Sequence, residues 1–221
     1  MIMITGDTHG DFGRLKEKAV KKLKKGDCLI ICGDFGFVWD GAPAENAILK
    51  KIGAMRFTTL FADGCHENYD LLKAYPSEEI FGGTAQHITG NLYHLQRGGM
   101  YEIDGKKLFV FGGGRSAEMQ TRLDSKCYWQ EEMPSPEEFS YGDKTLAENG
   151  NKADYIITHE PPESIKQFLG FETDLTNPLS TYLDKLRSEV TYTGWYFGKV
   201  HKNKFIPPKF HCLFDELEIL P

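Results

Sequence analysis

Met1-Ile2-Met3-Ile4-Thr5-Gly6-Asp7-Thr8-His9-Gly10-Asp11 sets an apolar, strand-length run directly against a loop of acid, imidazole and glycine. Four more clusters of the same kind lie along the chain: Gly33-Asp34-Phe35-Gly36, Asp63-Gly64-Cys65-His66-Glu67-Asn68, Thr158-His159-Glu160-Pro161-Pro162 and Gly198-Lys199-Val200-His201. Most of them follow an apolar run. Loops at strand ends are where a rigid sheet brings together residues distant in sequence, so the repetition predicts one site built from several strand ends.

Outward from the first cluster, Asp11 is a helix cap and Phe12 to Lys25 reads as a helix with Leu15, Ala19 and Leu23 on one face. Its lysines, Lys16, Lys18, Lys21, Lys22, Lys24 and Lys25, read as a solvated outer face. Cys28 to Cys32 is the next strand, Pro43 to Met55 the next helix, and Phe57 to Ala62 a third strand before a short helix through Leu72. Three such units in a row imply a parallel sheet. After Pro76 the pattern changes to short strands, Ala85 to Ile88, Leu92 to Leu95, Met100 to Ile103 and Lys106 to Phe111, with Asp104-Gly105 as a hairpin turn. This half is expected to be antiparallel or mixed. From Gly112 to Asn151 the chain is polar and reads as a surface excursion, with a helix opened by Pro134 and Pro136. Tyr155 to Thr158 and Tyr192 to Phe197 are strands delivering the last two clusters, and Pro178 to Leu186 is a helix between them. Phe210 to Phe214 and Leu217 to Leu220 close the chain as strands.

With 221 residues, 40% of them apolar and 13% aromatic, the chain can bury a substantial core, and one domain over residues 1–221 is expected. The net charge of −6 offers no basic footprint, which disfavours nucleic acid as a partner. No run reaches the roughly 18 to 20 apolar residues of a membrane span. Cys28, Cys32, Cys65, Cys127 and Cys212 are odd in number and lack framework spacing, so a reducing cytoplasm is expected, with Cys28 and Cys32 as buried thiols. Tyr128, Trp129 and Trp195 could line an interface, a pocket or the core, and the sequence does not specify an oligomeric state.

Mixed carboxylate and imidazole donors suit Mn²⁺, Fe or Zn²⁺ rather than Ca²⁺. Asp7 and His9, two apart, would leave the same face of an extended segment. Asp34 has two carboxylate oxygens and could bridge two ions. A pair of ions can activate water and clamp both oxygens of a phosphoryl transfer. Arg97, Arg115 and Arg122 sit in or beside glycine-rich loops and are candidates to grip a substrate oxyanion, although surface salt bridging is the commoner role for any one of them. His87, His94 and His211 match no cluster and read as strand or surface histidines. Phe35-Gly36-Phe37-Val38-Trp39 packs as core or walls the pocket.

In order and spacing the five clusters resemble the calcineurin-like metallophosphoesterase family, whose pattern is D-x-H, G-D, G-N-H-D/E, a lone His and then G-H-x-H. The resemblance runs from Asp7 to His201 and is similar to the small bacterial members, in which N-H-E-N, a Gly-rich stretch such as Phe111-Gly112-Gly113-Gly114, T-H-x-P-P and W-Y-F-G recur. It implies a four-layer α-β-β-α sandwich of two mixed sheets, and a phosphoric ester hydrolase acting on a monoester or diester through metal-activated water. It implies one ion on Asp7, His9, Asp34 and His201, and a second on Asp34 and His159. His66 would be the histidine that donates a hydrogen bond or proton to the leaving oxygen. The family's frequent arginine after G-D is absent here.

Two positions depart from the pattern, both at the second ion: Cys65 stands where the family has Asn, and Lys199 where it has the first His of G-H-x-H. A thiolate can bind Zn²⁺ or iron, whereas an ammonium has no lone pair to give. Three outcomes are open: a weak second ion on Asp34, Cys65 and His159; one ion with Lys199 lending positive charge to the phosphate; or a Cys65–Lys199 pair that leaves an inert site. The substrates implied are phosphorylated small molecules, nucleotides or proteins, and the alternative is an impaired member that binds a phosphorylated ligand or a protein partner.

Overall fold

Strands form where the apolar runs are β-branched or aromatic and can be buried on both faces. In the computed structural model, which describes residues 1–170 and 177–221, they are β1 Ile2–Thr5, β2 Cys28–Cys32, β3 Thr58–Ala62, β4 Ser77–Ile80, β5 Gly83–Thr89, β6 Leu92–Leu95, β7 Gly99–Ile103, β8 Lys106–Phe111, β9 Tyr155–Thr158, β10 Gly194–Phe197, β11 Lys204–Ile206, β12 Phe210–Cys212 and β13 Leu217–Ile219. The α-helices are α1 Pro43–Gly53, α2 Tyr69–Lys73, α3 Met119–Asp124, α4 Pro136–Glu148, α5 Glu163–Phe168 and α6 Pro178–Glu189.

One sheet has the order β13-β1-β2-β3-β6-β5-β4 and the other β11-β12-β10-β9-β8-β7. Each has a parallel centre and antiparallel edges, so both are mixed. Period-two alternation decides what each strand residue faces. Ile2, Ile4, Ile30 and Leu60 meet Leu108, Val110, Ile157 and Tyr196 between the sheets. Met3, Leu29 and Ile31 face outward onto Leu49 and Ile52 of α1. On the other side Phe109, Phe111, Ile156 and Trp195 pack against Leu146 of α4 and Leu179, Leu183 and Leu186 of α6. These three apolar layers between four structural ones make the α-β-β-α sandwich implied above.

Helix starts carry their own signals. Ser135 and Glu138 form a capping box at α4 with Pro136 in the first turn, and Asn177 with Ser180 does the same at α6 before Pro178. Asp104 and Gly105 both have positive φ, 53° and 72°, as a tight β7–β8 hairpin requires.

Three expectations need correction. Phe12 to Lys25 is not an α-helix; it holds two 3₁₀ turns, Arg14–Lys16 and Val20–Lys22, with Leu15, Val20 and Leu23 buried. The reason lies in side chains that compete with the helix. Asp11 Oδ1 accepts from the Gly13 amide at 2.8 Å, and Arg14 turns back to donate to Thr5 Oγ1 at 2.7 Å and the Phe214 carbonyl at 2.5 Å. The lysines there are exposed, as expected of a solvated face. The polar stretch from Gly112 to Asn151 is not a simple surface excursion, because Ser116, Arg122 and Glu132 are buried, with Arg122 paired to Glu132, which also accepts from the Ser116 amide. Finally, the edge strands β4 and β11 lack an apolar alternation and were not expected.

No described helix is long and apolar enough to cross a membrane.

Candidate metal centre

Each of the five clusters leaves the C-terminal end of a parallel strand: Asp7 after β1, Asp34 after β2, Cys65 and His66 after β3, His159 after β9, and Lys199 and His201 after β10. Parallel strands end on the same side of a sheet, so the loops converge. Asp7, His9 and His201 bring one donor atom each within 4.8 Å of the others; His9, Asp34 and His66 form a second such group, and Asp34, Cys65 and His159 a third. Asp34 belongs to two of the three.

The convergence is held in a strained backbone. His9, Asp34, Lys199 and His201 all have positive φ, between 41° and 65°, a conformation that costs a non-glycine residue of order 1–3 kcal/mol. His9 therefore does not lie on an extended segment with Asp7, as its spacing suggested. The two still approach, with His9 Nε2 at 3.7 Å from Asp7 Oδ2, because the Thr8 and His9 amides both donate to the Asp34 carbonyl. Glycine permits the closest approaches: a Cβ at Gly198 would stand 1.9 Å from Asp7 Oδ1, and one at Gly64 would stand 2.0 Å from Asp34 Oδ1.

In the first group His9 Nε2 and His201 Nε2 face each other at 2.9 Å, with His201 Nε2 at 3.1 Å from Asp7 Oδ2. Two imidazole nitrogens and a carboxylate aimed at one point, with Asp34 Oδ2 at 3.9 Å from His9 Nε2, are a donor set suited to a divalent cation. Residues 1–207 of the 221 match the model of the family described as calcineurin-like phosphoesterase. The chain belongs to that family. A comparison with curated proteins finds no match.

Calcineurin-like phosphoesterases depend on metal, and the first group fits an ion. The third group of this phosphoesterase is different. His159 Nδ1 faces the Cys32 carbonyl at 3.2 Å, which turns Nε2 toward Asp34 Oδ1 at 3.5 Å and Cys65 Sγ at 3.7 Å. Lys199 Nζ reaches one of these donors, 3.0 Å from Cys65 Sγ and 2.6 Å from the Arg115 carbonyl oxygen. Burial and Asp34 oppose ionisation of the Cys65 thiol, but Lys199, His159 and His66 outweigh them and lower it to about 6. Burial likewise opposes the Lys199 charge, and Cys65, Glu160 and Asp34 overcome it, raising the ammonium above its usual range. Asp34, disfavoured by burial, is held well below the usual carboxylate range by His159, His66 and Lys199.

His66 Nδ1 donates to Asp34 Oδ2 at 2.6 Å, and that bond, with Cys65, pushes the imidazole up to about 10. Asp34 thus both orients the ring and favours its charged form. His66, Arg115, Glu160, Lys166, Asn177, Lys199 and His201 are among the residues lining a cavity of about 220 Å³ beside the clusters. A larger cavity of about 610 Å³, lined by Asp63, Tyr69, His94 and Arg97, touches none of the donor groups.

The structure therefore brings Asp7, His9, Asp34, Cys65, His66, His159, Lys199 and His201 together, with Arg115 at the rim. Arg97 and Arg122 do not face the cavity. Arg97 is buried against Asp63, to which its Nε donates at 2.8 Å, and Arg122 pairs with Glu132 at 2.5 Å and donates to the Cys65 carbonyl. Both are turned away from the cavity because each has a buried carboxylate as its nearer partner. Phe35, Phe37 and Val38 are core, as is Trp195, whose Nε1 donates to Thr158 Oγ1. His94 is a buried strand histidine between Gln86 and Asp63.

Glu160 has a role that its cluster does not reveal. Its Oε2 accepts from the Arg115 amide at 2.8 Å, and its Oε1 from Asn177 Nδ2 at 2.6 Å and from Lys166. Arg14 also escaped notice, though it donates to the Asp7 carbonyl. Nothing in the residue types of either position distinguishes it from a surface charge.

Proposed function

We propose that the protein hydrolyses a phosphate monoester or diester in a metal-dependent reaction, with the ion held by Asp7, His9, His201 and Asp34. The observation that carries this reading is the meeting of His9, His201 and Asp7 beside a histidine, His66, that Asp34 orients toward a cavity. Mn²⁺, Fe²⁺ and Zn²⁺ are the candidates, and such an ion would supply Lewis acidity to a water and to a phosphate oxygen.

The chain's own residues would do the rest. His66 presents a proton to the departing ester oxygen, and Asp34 holds its ring in place. Lys199 and Arg115 place positive charge where the phosphate oxygens would sit. Substrates in keeping with the cavity's size are a phosphorylated small molecule, a nucleotide or a phosphorylated protein side chain. The net charge of −6 disfavours nucleic acid, and five free thiols suit a reducing cytoplasm.

The test is hydrolysis of p-nitrophenyl phosphate and bis(p-nitrophenyl) phosphate by protein loaded with each metal. His9→Ala and His66→Ala are expected to lose that activity, and variants as fast as the parent would refute the assignment. The Cys65–Lys199 contact favours one second reading, an impaired member that binds a phosphorylated ligand or a protein partner. Phosphate binding without turnover under all three metals would select it.

A further inference from the structure

We infer that the Lys199 ammonium takes the place of a second metal ion, so that the centre binds one divalent cation per chain. This rests on the metal-dependent reading above and departs from the two-ion arrangement the family resemblance implied.

Lys199 is fixed at both ends. Its backbone amide donates to Asp7 Oδ1 and Oδ2, each at 3.1 Å, and its φ of 65° follows Gly198, whose missing side chain admits Asp7. Its Nζ is then delivered to Cys65 Sγ and the Arg115 carbonyl, the contacts described above. Two of the ammonium's three donors are accounted for by these acceptors. The carbonyl is itself held in position, because the Arg115 amide donates to Glu160. Glu160 in turn is tied to α5 through Lys166 and to the start of α6 through Asn177. A carboxylate only accepts, and here it accepts from three donors on three separate segments. The pocket for the ammonium is therefore built by β3, β8, β9 and β10 loops together.

The same atoms exclude a second cation. An ion ligated by Cys65 would sit about 2.3 Å from a sulfur that already receives the ammonium at 3.0 Å, so two cations would compete for one thiolate and repel each other. Lys199 has no lone pair to offer while charged, and its Nζ is held by two acceptors. The first group contains neither Cys65 nor Lys199, so it keeps its own ion.

Metal counting tests this without reference to turnover. Parent protein loaded with Mn²⁺ or Zn²⁺ and desalted is expected to hold one ion per chain, and the Mn²⁺ form to give an uncoupled electron paramagnetic resonance spectrum. Lys199→Met removes the charge and leaves Asp34, Cys65 and His159 as three ligands of a kind zinc accepts, so its Zn²⁺ content is expected to double. Cys65→Asn with Lys199→His is expected to hold two Mn²⁺ ions with an exchange-coupled spectrum. Two ions in the parent would overturn the inference, as would a Lys199→Met protein that stays at one. A parent with no ion would instead overturn the metal-dependent reading on which it stands. Circular dichroism identifies any variant that has not folded, and the parent count decides alone if both variants fail.

Discussion

Arg97→Met should expose how much the loop carrying Cys65 and His66 depends on a charge pair behind it. Asp63 is wholly buried; it accepts from Arg97 Nε at 2.8 Å and from the Tyr69 hydroxyl at 2.9 Å, and His94 Nε2 lies 3.0 Å away. Removing one partner of a buried pair leaves the other charge uncompensated and costs about 3–5 kcal/mol. For a chain of this size that lowers the thermal midpoint by about 10 °C. The pH dependence is more specific than the magnitude. Burial opposes the Asp63 charge, but Arg97 and His94 hold its pKa below the unfolded value of 3.8, so its contribution is present above 3.8 and lost as pH falls through the folded value. Without Arg97, burial dominates and the folded pKa rises above the unfolded one. The variant then gains more stability than the parent as pH falls from 7 toward 5, where protonation relieves the Asp63 charge; buried Glu132, raised to about 7, contributes equally to both. Urea unfolding followed by tryptophan fluorescence at pH 7 and pH 5 measures both. A deficit below about 1 kcal/mol, or one of equal size at the two pH values, would sink the reasoning. Asp63→Asn combined with Arg97→Met should cost less than the sum of the single changes.

His66→Asn should lower kcat by about 10²–10⁴-fold with metal content unchanged, as measured with an aryl phosphate and by elemental analysis. In the parent, the rate should fall on the alkaline side as His66 loses its proton, at or below about 10, since an ion on Asp34 weakens the charge that raises it. Gly198→Ala places a Cβ 1.9 Å from Asp7 Oδ1 and should weaken metal binding at least about 10-fold by equilibrium dialysis, with unchanged circular dichroism. Trp195→Ala, at a fully buried position, should destabilise by about 3–5 kcal/mol in urea without altering metal stoichiometry.

Much of the fold was legible because parallel central strands must be apolar on both faces. β2 and β6 were bounded correctly from their apolar runs alone, and β9 likewise. What failed was local competition and edges. A helix over Phe12 to Lys25 fits its apolar spacing, yet Arg14 is drawn into the loop beneath Asp7, and no periodicity reports such a long-range bond. β4 reads as Ser-Glu-Glu-Ile because an edge strand with an exposed face needs no apolar pattern. The oxyanion role of Arg97 and Arg122 failed for a related reason: a guanidinium near a glycine-rich loop looks the same in sequence whether it faces solvent or a buried carboxylate.

The candidate ligands were legible for a different reason than the fold. Each lies within a few residues of a strand end, so its position in space follows from the strand's, and five such positions constrain one another. The contact that most alters the chemistry has no such support. Lys199 and Cys65 are separated by 134 residues and lie on loops from different sheets, and neither residue type alone specifies a partner. Sequence could say that two positions depart from the family pattern. Their pairing is one of three arrangements the sequence leaves open, and choosing it depends on how the two sheets stack and on Glu160 holding the Arg115 backbone in place. Once they meet, the two changes compensate: the ammonium favours the Cys65 thiolate against burial and Asp34, and the thiolate adds to Glu160 and Asp34 in favouring the buried ammonium. A chain carrying only Lys199, with asparagine at position 65, would bury its cation with less to answer it, and one carrying only Cys65 would keep an open third ligand for zinc. The pair therefore behaves as a unit, and single substitutions at either position should disturb the centre more than the double change that removes both.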